Sequence, residues 1–184
     1  VGSSYRLIRA DSTRVVESAE CTCFIAGDLA ISEKQSADYT VFAVCLLTRE
    51  HDVLLIDLIR EHLDNPSQQQ QMLLLADRYH PDYVLIESVA YQLSFVQQLR
   101  GHGLPVREFR PVRDKVARAT TAAVLFEGEK VFFVEGAHWL HEVEHELLMF
   151  PKAAHDDIVD ALGMACEQAT VRSPSVRSFG ARRG

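Results

Sequence analysis

Two continuous apolar runs along this chain end in an acid. Cys23-Phe24-Ile25-Ala26-Gly27 closes on Asp28, and Tyr83-Val84-Leu85-Ile86 closes on Glu87. A short apolar run without polar alternation reads as a strand buried on both faces. Tyr39 to Thr48 and Val53 to Ile59 are rich in branched and aromatic residues and read as two further strands. The link Arg49-Glu50-His51-Asp52 between them fits a short hairpin turn. The first three strands therefore form an antiparallel meander. Residues 1–20 are polar and mixed, with weak alternation over Tyr5–Arg9, and read as a lead-in or an edge strand. Residues 30–39 are small and polar, as in a turn.

The pattern then changes to helical spacing. Met72, Leu75, Ala76 and Tyr79 share one face of a helix that Asn65 would cap, with Pro66 in its first turn. His80-Pro81 stops it. After the Tyr83–Glu87 strand, Tyr91 to Leu99 reads as a helix closed by Arg100-Gly101-His102-Gly103. Pro105–Phe109 follows as a fifth strand. A basic loop over Arg110–Arg113 leads into a helix from Asp114 to Phe126, and Lys130–Val134 is a short extended piece. A helix from Ala137 to Met149 stops before Pro151. The last helix, Asp156–Ala169, buries Ile158, Ala161, Leu162 and Ala165 on one face. Strands and helices in this order predict an α/β fold, with an antiparallel meander plus parallel strands in one mixed sheet flanked by helices.

Composition narrows the class. With 184 residues, 47% hydrophobic and 24% charged, the chain is long enough for one domain with a sizeable core. Its core is expected over residues 21–170, and 171–184, rich in Ser, Pro, Gly and Arg, is expected to be a disordered basic tail. The opening Val1-Gly2-Ser3-Ser4 looks like an engineered leader or a cut inside a longer protein. No apolar run approaches the roughly 20 residues of a membrane span, and no signal peptide is expected. Cys21, Cys23, Cys45 and Cys166 read as reduced thiols, and without a second CxC or CxxC a zinc site is not expected. A net charge of −7 argues against a nucleic-acid binder when taken alone. The charge is uneven, however. Arg100, Arg107, Arg110, Arg113, Lys115 and Arg118 face only Glu108 and Asp114 in that stretch, and the tail after Ala169 carries four Arg and no acid. Such strips can follow a phosphate backbone on an acidic protein.

The candidate chemistry lies in the acids. His155-Asp156-Asp157-Ile158-Val159-Asp160 opens the last helix, and Asp157 and Asp160, three apart, point the same way. Alone, such acids cap and solvate a helix start. With Asp28 and Glu87 at the ends of two strands that a crossover helix can bring together, they become a four-carboxylate set. Oxygen-only donors suit Mg²⁺ or Mn²⁺. Asp156 is the expected helix cap. Lys115 and Arg118, one helical turn apart, would hold a phosphate or form a solvated face.

In order, Asp28, Asp38-Tyr39-Thr40, Leu85-Ile86-Glu87, Lys115-Val116-Ala117-Arg118, Phe150-Pro151 and His155 through Ala161 resemble the C-terminal nuclease domain of phage large terminase subunits. The resemblance spans roughly residues 20–170. It implies a ribonuclease H-like fold related to Holliday-junction resolvases, and an endonuclease that cuts concatemeric double-stranded viral DNA during packaging. It also implies two divalent ions held by Asp28, Glu87, Asp157 and Asp160. DNA contacts would come from Lys115, Arg118, Arg113 and Arg110, with Asp38, His155 and Asp156 as secondary candidates. Implied partners are a packaging ATPase domain, the portal and the small terminase subunit, in the host cytoplasm with no membrane or secretion. The chain has no GxxxxGK[ST], so it claims no ATP site itself. Alternatives of the same fold are a junction resolvase or a ribonuclease H. A non-enzymatic alternative is an acidic interaction module. A metallophosphatase fits less well, because only His155 is suitably placed.

Overall fold

The computed structural model describes residues 3–30, 39–87, 93–110, 115–153 and 155–170, with the side chains of 115–117 excepted. Six strands form one mixed sheet. Strands β3 (Thr22–Asp28), β4 (Thr40–Leu47) and β5 (Val53–Glu61) make the antiparallel meander. Strand β6 (Tyr83–Glu87) pairs parallel to β3, β7 (Val106–Phe109) parallel to β6, and β8 (Val131–Phe133) parallel to β5. The order across the sheet is β7-β6-β3-β4-β5-β8.

Helices cover both faces, so the central strands have no solvated side. Helices α1 (Asn65–Tyr79) and α2 (Leu93–Gly101) lie on one face. There Met72, Leu75, Phe95, Val96 and Leu99 pack against Ile25, Phe42, Val44, Val84 and Ile86. On the other face lie α3 (Lys115–Glu127), α4 (Leu140–Met149) and α5 (Asp157–Thr170). The apolar stripe of α5, Ile158-Ala161-Leu162-Ala165, packs against Phe24, Ala26, Val41, Ala43 and Leu85. Alternate residues of each strand thus belong to opposite cores, which explains the unbroken apolar runs. No helix among the described residues is long and apolar enough to cross a membrane.

Three local expectations are corrected. The first segment is neither a lead-in nor an edge of the main sheet. Strands β1 (Ser4–Ile8) and β2 (Thr13–Glu17) form a separate antiparallel hairpin. Leu7 and Val16 bury it against Leu46 and Leu54. Asp52, fully buried, anchors it through Arg9 and Arg14, both at 2.8 Å. The cap of α1 is Asp64, whose carboxylate accepts the Ser67 N–H, with Asn65 already inside the helix. Helix α4 begins at Leu140, with Trp139 in the cap position. The proposed basic tail lies outside the described residues.

Candidate metal centre and active site

The register of the sheet sets the first two carboxylates. Gly27 pairs with Ile86 in parallel, so Asp28 and Glu87, each one residue further, end their strands at the same level. Phe24, Ala26, Tyr83 and Leu85 face α5. By strand alternation Asp28 and Glu87 face the same way. On the far side Gly27 leaves room for the side chains of Ile86 and Phe42, whose atoms would lie 2.6 and 3.2 Å from an added Cβ.

Helix α5 brings the other two. Asp157 and Asp160 occupy its first turn, where the unpaired backbone N–H groups favour negative charge. Asp157 turns Oδ2 into the protein, where that atom is buried. Asp156 lies just before the helix, and its carbonyl accepts the Asp160 N–H at 3.0 Å. A further acid comes from α4. Glu146 Oε1 accepts the Val159 N–H at 3.0 Å and so tethers the start of α5. Burial raises the Glu146 carboxyl above its ordinary range, against the opposing pull of the Val159 N–H, Arg60 and the Ile158 N–H.

Arg118 departs from a solvated helix face. Its side chain is only 10% exposed, and Nη2 lies 3.0 Å from Asp160 Oδ1. Nη1 lies 3.9 Å from Glu87 Oε1. One guanidinium therefore joins the carboxylate that ends β6 to the one in the first turn of α5. Lys115 opens α3 one turn earlier. Arg110 follows β7 with its side chain 80% exposed and 3.6 Å from Glu108. Arg113 and Asp38 lie outside the described residues. His155 meets the ring of Tyr39 edge-on, with centroids 5.1 Å apart. Sequence reasoning overlooked Arg60, His62 and Glu146 near the same site.

The donor set favours a hard cation. Asp28, Glu87, Asp157 and Asp160 offer carboxylate oxygens only, the ligands of Mg²⁺ and Mn²⁺. Glu87 and Asp160 already share a cation, the Arg118 guanidinium. Among the described residues no three His, Cys, Asp or Glu side chains stand close enough to enclose an ion as they are. The carboxylate donors are of the type a divalent metal takes, but as they stand the described residues do not enclose one.

The terminase RNaseH-like domain family matches residues 25–169. Among solved structures, the chain is similar to the large terminase nuclease of thermophilic phage G20c. Against the form with bound magnesium the TM-score is 0.63 at 20% identity, covering 81% of this chain and 82% of the other. Against the form with bound zinc it is 0.61 at 21% identity, covering 82% of each. The yeast mitochondrial Holliday junction resolvase gives 0.50 at 13% identity, covering 79% and 78%. At these identities the likeness carries the fold, which is ribonuclease H-like. A comparison with curated proteins found no match.

Proposed function

This chain belongs to the terminase RNaseH-like domain family, and from that premise we propose that it is a metal-dependent DNA endonuclease that cuts concatemeric viral DNA during packaging. One observation carries the reading. Asp28 and Glu87 end adjacent parallel strands at one level and face the helix whose first turn holds Asp157 and Asp160. These four residues would hold two Mg²⁺ or Mn²⁺ ions. Bound there, the ions would supply an activated water and stabilise the leaving 3′ oxygen.

The chain's own side chains would do the rest. Arg118 ties Glu87 to Asp160. Lys115, Arg118, Arg113 and Arg110 would supply the contacts to the DNA backbone. Asp156 would serve α5 as its cap. Asp38 and His155 would support the ligands. A packaging ATPase domain, the portal and the small terminase subunit would be the partners in the host cytoplasm.

The test is plasmid cleavage. The protein should nick or cut supercoiled plasmid with little sequence preference in Mg²⁺ or Mn²⁺. Cutting that persists in excess EDTA would remove the metal mechanism. The structural likeness to a resolvase favours one competing reading, a junction-cutting enzyme. Preference for a four-way junction over linear duplex, together with a dimeric assembly, would select it.

A further inference from the structure

A row of residues crosses the sheet at the level of the strand-end carboxylates. Asp28 pairs with Val41 across β3 and β4, and Val41 pairs with Arg60 across β4 and β5. Directly opposed residues of neighbouring strands share a face, and Val41 packs in the core under α5. Asp28, Val41 and Arg60 therefore all face α5. Arg60 reaches that face through an irregularity in β5. Val44 pairs with Asp57 and Cys45 with Leu55, which leaves Ile56 as an extra residue, and Leu55 and Leu58 both pack towards α5. With strands about 4.8 Å apart, Arg60 stands about 10 Å from Asp28 along the row. Glu87 ends β6 on the other side of Asp28.

The first turn of α5 is held from both ends of this row. At the β6 end, Arg118 links Glu87 to Asp160. At the β5 end, Arg60 Nη2 lies 3.7 Å from Glu146 Oε2, and Glu146 Oε1 accepts the Val159 N–H at 3.0 Å. Val159 stands between Asp157 and Asp160 in the chain, so this bond acts on the turn that carries both. One oxygen of Glu146 thus serves the sheet and the other serves the helix. Arg60 is itself held, with Glu142 at 4.0 Å and the centre of the Tyr39 ring 3.9 Å from its guanidinium.

A carboxylate in that place is costly. Glu146 is only 3% exposed, so it is desolvated, and it adds negative charge beside an acidic cleft. An apolar side chain would pack there without that penalty. We propose that Glu146, braced by Arg60, is a positioning residue of the active site: it fixes the first turn of α5 against the carboxylate row, so that Asp157 and Asp160 stand opposite Asp28 and Glu87. The inference rests on the nuclease reading. It gives Glu146 a part that Arg118 cannot take. Arg118 binds two of the carboxylates themselves, and an ion on those oxygens would compete with it. Glu146 binds a backbone N–H, which no metal ion takes.

The test compares wild type with Glu146→Ala, Glu146→Gln, Arg60→Met and Val16→Ala at a temperature where all are folded. Titration calorimetry reads Mn²⁺ binding, and cleavage of a duplex oligonucleotide gives kcat and KM. Gln keeps an oxygen for the Val159 N–H and loses the charge that pairs with Arg60, whereas Ala loses both. Val16, buried in the β1–β2 hairpin against Leu46 and Leu54, is the control for lost stability alone. For Glu146→Ala the Mn²⁺ dissociation constant should rise about tenfold and kcat should fall about tenfold, as on loss of a residue that orients a metal ligand. KM for DNA should stay within about twofold, because the loss is not of uniform binding. Glu146→Gln and Arg60→Met should each lie between Glu146→Ala and wild type, and Val16→Ala should match wild type in Mn²⁺ affinity and kcat.

The arginine variant separates position from charge. If Glu146 acted only as a distant negative charge, Gln and Ala would lose Mn²⁺ affinity equally, and Arg60→Met would bind Mn²⁺ more tightly than wild type. That pattern would overturn the proposal. So would wild-type Mn²⁺ affinity and kcat in a Glu146→Ala protein that merely melts lower. Should Glu146→Ala fail to fold, wild-type Mn²⁺ affinity in both Glu146→Gln and Arg60→Met would overturn it. A wild-type protein that neither binds Mn²⁺ nor cuts duplex DNA would overturn the nuclease reading itself, and the positioning role with it.

Discussion

Replacing Arg118 with Met keeps most of the aliphatic stem and deletes the cation between Glu87 and Asp160. At the observed 3.0 Å separation from Asp160 the gross attraction is about 5 kcal/mol, taking an effective dielectric of about 20. Desolvation of the partners offsets much of it. Loss of one partner from a wholly buried pair costs about 3–5 kcal/mol. Here the carboxylates remain 19% and 23% exposed, so water can solvate them once the arginine is gone. We therefore expect a net loss of about 2 kcal/mol, below the fully buried range. For a chain of this size that is a fall in Tm of about 4–8 °C. A divalent ion should reverse the penalty, because it binds the native state where the two carboxylates now repel. The Mn²⁺-induced rise in Tm should accordingly be larger in Arg118→Met than in wild type. Melting curves in EDTA and in Mn²⁺ for both proteins are sufficient. A variant that melts like wild type in EDTA, or gains no more from Mn²⁺, would refute the carboxylate-holding role of Arg118.

Asp28→Asn removes one charge at constant shape, so it should abolish cleavage, leave the metal-free protein at least as stable and shrink the Mn²⁺-induced rise in Tm. Asp156→Asn should show near-normal metal stabilisation, because Asn also caps a helix. A lost response there, with a normal one in Asp157→Asn and Asp160→Asn, would move the ligand set. Burial pushes the Cys23 thiol up to about 11, helped by Asp82, so about one molecule in a thousand carries its thiolate at pH 8. Cys45 and Cys166 are raised by burial too. Alkylation at pH 8 should therefore be slow at these three thiols in native protein, faster as pH rises, and fast after denaturation. Mass spectrometry of labelled peptides reads the difference. Gly27→Ala places a Cβ against Ile86 Cδ1 and should destabilise by about 1–3 kcal/mol, measured by urea unfolding.

Much of the candidate site was legible because strand ends and a helix start carry strong local signals. Apolar runs closing on Asp28 and Glu87, and the spacing of Asp157 and Asp160 opposite an apolar stripe, depend on neighbouring residues only. Their convergence depends on β6 pairing with β3, which a right-handed crossover through α1 makes natural. What stayed hidden depends on tertiary approach. Arg118 reads as a surface cation until α3 turns it towards Asp160. Glu146 caps α5 from another helix, and no spacing rule connects residues 13 apart across a loop. Arg60 and His62 lie on the α5 side of the sheet only because the register shift at Ile56 changes the alternation of β5. At α1 two good capping residues stand side by side, and the Ser67 N–H selects Asp64 by geometry. The β1–β2 hairpin has weak alternation because only Leu7 and Val16 among its residues are buried.

The most direct test of the account is an anomalous difference map from crystals of the protein soaked in Mn²⁺. The account predicts peaks in the cleft bounded by the ends of β3 and β6 and the start of α5. Asp28 and Glu87 should be among the ligands, with at least one of Asp157 and Asp160. A well-occupied peak held by other residues, or no peak there in crystals whose dissolved protein cuts DNA with Mn²⁺, would contradict it.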